Sequence, residues 1–136
     1  MTDIVIQARQ LSKTYQQGRL PVTALRNSDL DVPAGAFVVL LGPSGGGKTT
    51  LLNLIGALDV PTEGEVRVNG GSLQLRRQAD RFKFRRETVS FIFQTFNLFP
   101  SLTALENVQF VLDMGNASNS QDRAERVLVD VGLGDR

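Results

Sequence analysis

The sequence contains no cysteine, which excludes disulfides and thiolate metal sites and fits a reducing compartment. Histidine is missing as well. Without that most common general base and metal ligand, any catalysis has to rest on carboxylates, lysine, backbone groups and a bound Mg²⁺. Neither sign of charge dominates: 15 basic and 14 acidic residues leave a net +1, which argues against a strongly cationic nucleic-acid binder. No apolar run approaches membrane-spanning length, and Met1-Thr2-Asp3 opens without a basic, signal-like segment. The expectation is a cytosolic protein that does not itself cross a membrane. Internal repeats and low-complexity tracts are also lacking. What is there, 136 residues with 41% hydrophobic and 21% charged side chains, suffices for one soluble globular domain.

The most informative stretch is Gly42-Pro43-Ser44-Gly45-Gly46-Gly47-Lys48-Thr49, which fits GxxxxGK[ST]. Its flanks suit a phosphate-binding loop. Phe37, Val38, Val39, Leu40 and Leu41 form an unbroken β-prone run, expected as a strand buried on both faces. Downstream, Leu51, Leu54, Ile55 and Leu58 recur at helical spacing until Pro61. Glycines at 42, 45, 46 and 47 allow successive backbone N–H groups to turn inward around phosphate oxygens. The helix start then offers unpaired N–H groups and its positive dipole end. Lys48 is expected to reach the β- and γ-phosphates, Thr49 to place its hydroxyl on Mg²⁺, and Thr50 to add a hydroxyl toward the α-phosphate.

Before this loop, Ile4, Ile6 and Ala8 predict an opening strand, Gln16-Gln17-Gly18-Arg19 a turn, and Val22 to Val32 a second strand ending at Pro33-Ala34-Gly35. Tyr15, the single tyrosine, has two readings: a half-buried sheet aromatic or a flat platform for a nucleobase. After the loop helix, Pro61-Thr62-Glu63-Gly64 reads as a turn and Glu65 to Val68 as a strand closed by Asn69-Gly70-Gly71. Leu75, Ala79 and Phe82 predict the apolar side of a helix whose other side carries Arg76, Arg77, Arg81, Arg85 and Arg86, partly offset by Asp80 and Glu87. A nucleic-acid or anionic-lipid patch and a solvated amphipathic helix are the alternatives there; without regularly spaced stacking aromatics the solvated helix is preferred.

Thr88 to Phe93 predicts a further strand that delivers Gln94 at its carboxyl end, where ligands of open α/β sheets collect. Gln94 is either polar loop chemistry or an amide that helps hold Mg²⁺ or the attacking water. Phe96, Leu98 and Phe99 follow in an irregular stretch and are either core or a docking surface. Thr103-Ala104-Leu105-Glu106 matches a capping box, with Leu105, Val108 and Leu112 continuing a helical face. Gly115 to Ser120 breaks that helix, and Asp122 to Val131 predicts another, with Ala124, Val127, Leu128 and Val131 in line.

These spaced motifs resemble the amino-terminal part of an ATP-binding-cassette (ABC) transporter ATPase, over nearly the whole chain. Tyr15 stands where that family has its adenine-stacking aromatic, Val22 lies near the same pocket, Gly42 to Thr49 matches the Walker A motif and Gln94 the Q-loop glutamine. The stretches LLNLIGALDVPTEGEV and FQTFNLFPSLTALENV resemble the exporters of lipoproteins and macrolides and the related cassette acting in cell division. Gly46 departs from the serine of many relatives while keeping the backbone geometry.

The resemblance implies an α/β fold: a P-loop NTPase (RecA-like) core with an ABC-type antiparallel β subdomain and the start of a helical subdomain, residues 1–136 forming a partial nucleotide-binding domain. It implies ATP and Mg²⁺ as cofactors, with Lys48 and Gln94 catalytic and with Thr49 and Gln94 at the metal. It also implies a membrane permease partner met through the 94–100 loop, a homodimer or other oligomer, no direct nucleic-acid binding, and a cytoplasmic location, peripheral on the inner face of the cell membrane. The family's LSGGQ-like signature, Walker B carboxylates, D-loop and switch histidine find no match after Gln94. The expectation is therefore a truncated chain that binds Mg·ATP or Mg·ADP weakly, hydrolyses little or none alone, and associates with itself or a complementary chain because strands flanking Phe37 to Leu41 are missing. Two alternatives stand beside the transporter role. One is a non-hydrolysing nucleotide-binding remnant. The other is a different P-loop protein, a GTPase or an ATPase acting on nucleic acid, although the DxxG and NKxD motifs of a GTPase do not occur.

Overall fold

The computed structural model describes residues 3–73 and 77–135, with Gln17 described by its backbone alone. The chain divides into two units, Met1–Val89 and Ser90–Arg136. The first is built on a long hairpin, β1 (Ile4–Gln17) and β2 (Leu20–Pro33), turning at Gly18 and Arg19. β3 (Glu63–Val68) pairs with the other edge of β1 and β4 (Gly71–Ser72) with β3, giving an antiparallel sheet of order β2-β1-β3-β4. β3 begins at Glu63, inside the stretch predicted as a turn.

Bulges shape this sheet. Between Ala8↔Leu30 and Leu11↔Ser28, β1 carries one extra residue, and the Gln10 N–H donates to Asp29 Oδ1 at 2.7 Å instead of to the ladder. Gly64 on β3 passes so close to the carbonyl oxygens of Arg9 and Gln10 that no Cβ could be accommodated there. Between Lys13↔Leu25 and Thr14↔Thr23 the extra residue is on β2, and it is Ala24.

Helix α1 (Lys48–Ile55) buries Leu54 and half-buries Leu51 and Ile55 against Ala8, Leu11, Val66 and Val68 of the sheet and Leu73 just after it. A fully buried leucine such as Leu54 contributes about 2 kcal/mol through removal of apolar surface from water. α1 stops at Ile55 with Gly56 as its cap, so Leu58 lies beyond the helix and is exposed. Helix α2 (Gln78–Glu87) closes the same core with Phe84, 4% exposed, whereas the predicted Phe82 is 48% exposed and Ala79 also faces water. The predicted stripe began at Leu75, which with Arg76 lies outside the described residues. The phase is instead set by Phe84 in the core and by its neighbour Arg85, whose Nη1 donates to Ala57 O at 2.7 Å.

Two predicted strands do not form. Phe37 to Leu41 makes no sheet, with Phe37 93% exposed, and Thr88 to Phe93 makes none either, with Ile92 fully exposed. A strand exists through its neighbours, and among the described residues no strand pairs with either segment. The second unit holds α3 (Ala104–Met114) and α4 (Ser120–Asp130), packed on each other. Thr103 caps α3 as predicted, its Oγ1 accepting from the Glu106 N–H at 3.2 Å while Glu106 Oε2 accepts from the Thr103 N–H at 2.7 Å. Glu106 is held below the usual carboxylate range by the hydrogen bond from the Thr103 N–H and by that from the Thr103 hydroxyl, which donates to Oε2 at 2.9 Å. α4 begins at Ser120 rather than Asp122; it buries Ala124 and Leu128 and leaves the predicted Val127 and Val131 exposed.

Candidate functional site

Residues 42–50 form a concave loop that ends on the first turn of α1. Ala24, Ser44, Gly45, Gly46, Gly47, Lys48, Thr49 and Thr50 line a depression of about 560 Å³. Gly47 is the decisive joint. It caps α1 in the left-handed region at φ 78°, and a Cβ there would collide with the carbonyl oxygen of Ala24. The bulge at Ala24 and the loop are thus fitted to each other, backbone against backbone. Gly42 and Gly45 also have positive φ, while Gly46 does not, and a Cβ on Gly46 would meet Pro43 alone among the atoms nearest it, its carbonyl oxygen at 3.1 Å and its ring carbons at 3.8 and 3.9 Å.

The electrostatics favour an anion. α1 has no acidic residue in its first turn and no side chain capping its N-terminal N–H groups, so the dipole's positive end is not cancelled locally. Lys48 folds over the loop, its Nζ donating to Gly42 O at 2.9 Å and to Pro43 O at 2.7 Å. Thr49 is exposed and Thr50 half-buried at the rim.

Tyr15 and Val22 face each other across the hairpin, two residues along β2 from Ala24, a separation of about 7 Å at strand rise. Tyr15 is 37% exposed. Its hydroxyl donates to Asp59 Oδ2 at 2.9 Å, and Lys13 Nζ sits 4.9 Å from its ring centroid. Lys13 in turn bonds Asp59 Oδ1 and Val60 O, both at 2.7 Å, and the Val60 N–H donates to Asp59 Oδ1. Partial burial works to raise the Asp59 pKa, but hydrogen bonds from Lys13, the Val60 N–H and Tyr15, with the charge of Lys13, outweigh it and hold the carboxyl below the usual range.

Gln94 belongs to the second unit and heads an irregular segment in which Phe96, Leu98 and Phe99 are all exposed, so they are not core. Phe99 stacks edge-on against Phe110 at 5.0 Å. The segment is tied down by Asn107, a buried residue of α3 whose Oδ1 accepts from the Phe99 N–H at 2.8 Å and whose Nδ2 donates to the carbonyls of Phe99, Leu102 and Thr103. On α2, Arg85 is engaged by Ala57 O and Arg86 pairs with Glu87 at 2.8 Å.

A sequence model described as ABC transporter matches residues 25–136. The chain belongs to the ABC transporter family. It is 44% identical over 134 residues to the uncharacterized ABC transporter ATP-binding protein MJ1508 of Methanocaldococcus jannaschii, covering 97% of this chain and 60% of that one. To the lipoprotein-releasing system ATP-binding protein LolD of Xylella fastidiosa it is 43% identical, over 100% of this chain and 58% of LolD. To the macrolide export ATP-binding/permease protein MacB of Marinobacter nauticus the identity is 38%, over 97% and 21%. Among solved structures, the dimeric ATP-binding cassette MJ0796 of M. jannaschii, in a post-hydrolysis state with ADP and Pi, superposes with a TM-score of 0.83 at 42% identity, over 90% of this chain and 54% of that one. This ABC-family chain thus spans about 60% or less of the length of these relatives. Its antiparallel sheet with helices is a partial ABC ATPase cassette, similar in sequence to the ATP-binding proteins named LolD and MacB. Among the described residues no helix is long and apolar enough to cross a membrane.

The loop of this ABC cassette fits a nucleotide's phosphates: a cradle that a Cβ at Gly47 would destroy, an uncancelled helix N-terminus and an ammonium above it. Mg²⁺ prefers hard oxygen donors and retains waters, and the exposed Thr49 hydroxyl suits it. Sequence reasoning missed Ala24, Lys13, Asp59 and Asn107. Asn107 left a signal, an amide on the apolar side of a predicted helix near Leu105 and Val108; Ala24 and Asp59 left none, since their roles arise from a bulge and from a contact 44 residues away.

Proposed function

We propose that this chain binds Mg·ATP or Mg·ADP through Gly42 to Thr50, as the ATP-binding subunit of an ABC exporter that powers a partner permease. The observation that carries the reading is the loop itself: Gly47 fitted against the Ala24 carbonyl at the start of α1, with Lys48 held above the cradle. In it, the loop amides and Lys48 bind and orient the β- and γ-phosphates, Thr49 offers its hydroxyl to Mg²⁺, and Thr50 adds a hydroxyl toward the α-phosphate. Bound Mg²⁺ supplies charge neutralisation between phosphate oxygens. Tyr15 is the nucleobase platform, with Val22 beside it.

The residues of this span supply a cradle and a base platform but no carboxylate pair for the attacking water, so the span by itself hydrolyses little or nothing. Residues 94–100 are the contact to the permease, which makes the subunit cytoplasmic and peripheral to the membrane. Dimerisation draws support from the dimeric form of MJ0796, and the transport role from the names of LolD and MacB. Nucleic acid is not expected as a partner, because the net charge is only +1 and regularly spaced stacking aromatics are lacking along the arginine-bearing helix.

Calorimetric titration with Mg·ATP tests the reading. Saturable binding by the wild-type chain, weakened at least about tenfold in a folded Lys48→Ala variant, is the expected result, since a charge-assisted contact is worth about 1.5–3 kcal/mol. Equal affinity of the two would remove the loop assignment.

A further inference from the structure

Asp59 is unassigned by the nucleotide reading, yet three groups converge on it: the Tyr15 hydroxyl at 2.9 Å, the Lys13 ammonium at 2.7 Å and the Val60 N–H at 2.7 Å. Lys13 and Tyr15 stand two apart on β1, and the Lys13 ammonium that bonds Asp59 also lies over the Tyr15 ring, 4.9 Å from its centroid. One carboxylate therefore fixes both the edge of the ring, through its hydroxyl, and the cation over its face. The Lys13 side chain is only 11% exposed and that of Asp59 27%, so the pair is not a loose surface contact. The ring so held stands opposite Val22, two residues from Ala24, whose carbonyl packs against Gly47 of the phosphate loop.

From this geometry we infer that Asp59 is a positioning residue for nucleobase binding, acting through Tyr15: it locks the aromatic ring in the orientation in which a purine stacks, while the phosphate loop works independently of it. The inference rests on the proposed nucleotide reading. A ring anchored at its hydroxyl and backed by a cation loses little freedom on stacking, whereas a released ring has to be ordered by the ligand. Asp59 should thus govern affinity for the base-bearing part of a nucleotide and leave affinity for bare polyphosphate unchanged.

The test uses the full 136-residue chain and two probes, Mg·ATP and Mg·tripolyphosphate, titrated into wild type, Tyr15→Ala, Asp59→Ala, the double variant and Tyr15→Phe. Expected are a loss of about three- to tenfold in ATP affinity for Asp59→Ala, the scale of one hydrogen bond, and tripolyphosphate affinity unchanged. Because Asp59 acts through the ring, the double variant should bind ATP no more weakly than Tyr15→Ala. Tyr15→Phe keeps the ring and removes only the bond to Asp59; it should fall between wild type and Tyr15→Ala, and it decides the matter should Asp59→Ala not fold. If Tyr15→Ala weakens ATP but Asp59→Ala and Tyr15→Phe bind like wild type, the positioning role is overturned while the platform stands. If Asp59→Ala weakens both probes alike, Asp59 serves the fold and the inference fails. If wild type binds ATP no better than tripolyphosphate, the platform reading itself fails and takes the inference with it.

Discussion

At the scale of single residues, the loop divides its glycines sharply. Gly47 is constrained twice, by a φ of 78° and by the Ala24 carbonyl, whereas Gly46 has an ordinary φ and one tight neighbour, the Pro43 carbonyl oxygen at 3.1 Å. Gly47→Ala should therefore cost more than about 1–2 kcal/mol in urea unfolding, the left-handed penalty alone, and reduce Mg·ATP affinity at least about tenfold. Gly46→Ser should leave both near wild type. Asp59 supplies a pH signature. Its folded pKa lies below the ordinary 3.8, so its ionised form is favoured by folding. That contribution is complete above the unfolded value and fades as pH falls through the folded one. The stability gap between wild type and Asp59→Asn, read by thermal unfolding from about pH 6 down to about pH 3, should narrow toward acid; a gap constant with pH would contradict the hydrogen bonding described here. The glycine loop running into α1 was legible in the sequence because its residue types stand at adjacent positions. Asp59 was not legible, because its partners lie 44 and 46 residues away and no local pattern announces them.

At the scale of elements, what local chemistry dictates was readable and what partners dictate was not. The hairpin turn at Gly18 and the Thr103 capping box both depend on residues within one turn, and both are found where the sequence puts them. Phe37 to Leu41 and Thr88 to Phe93 have the composition of strands but take no part in the sheet, since β structure is completed only by a neighbouring strand. Phe82, expected on the apolar side, is exposed and Phe84 is buried for a related reason: a short helix with apolar residues on two sides has its phase set by the core it meets. Asn107 ties the 99–103 segment to α3 with four hydrogen bonds. Asn107→Leu removes the partners of the Phe99 N–H and the Leu102 carbonyl, while the Phe99 and Thr103 carbonyls keep the backbone N–H groups of Leu102 and Asn107. The variant should destabilise the second unit by about 1–3 kcal/mol. Faster hydrogen exchange at the Phe99 amide is the direct readout, and unchanged protection would show that the bonds carry little weight.

At the scale of the whole molecule, much apolar surface faces water: Phe37, Val39 and Leu41 in the first unit, Ile92, Phe96 and Leu98 in the second. Contiguous apolar segments of this kind, one of them with strand composition and no strand beside it, favour association. Light scattering across a concentration series should return a mass above the 14.9 kDa of one chain that rises with concentration; a constant 14.9 kDa would show that these segments are self-sufficient.

Lys48 carries three N–H bonds, and two of them end on carbonyls of its own loop. The side chain's freedom, about 2 kcal/mol for a lysine, is thus already restricted in the folded chain rather than at the moment of capture. On the proposed nucleotide reading, an arriving phosphate would meet a stationary charge with one donor in reserve. In that reading the same residue is at once a rivet for the loop and an electrode for the ligand, and a neutral amine would keep only the first role.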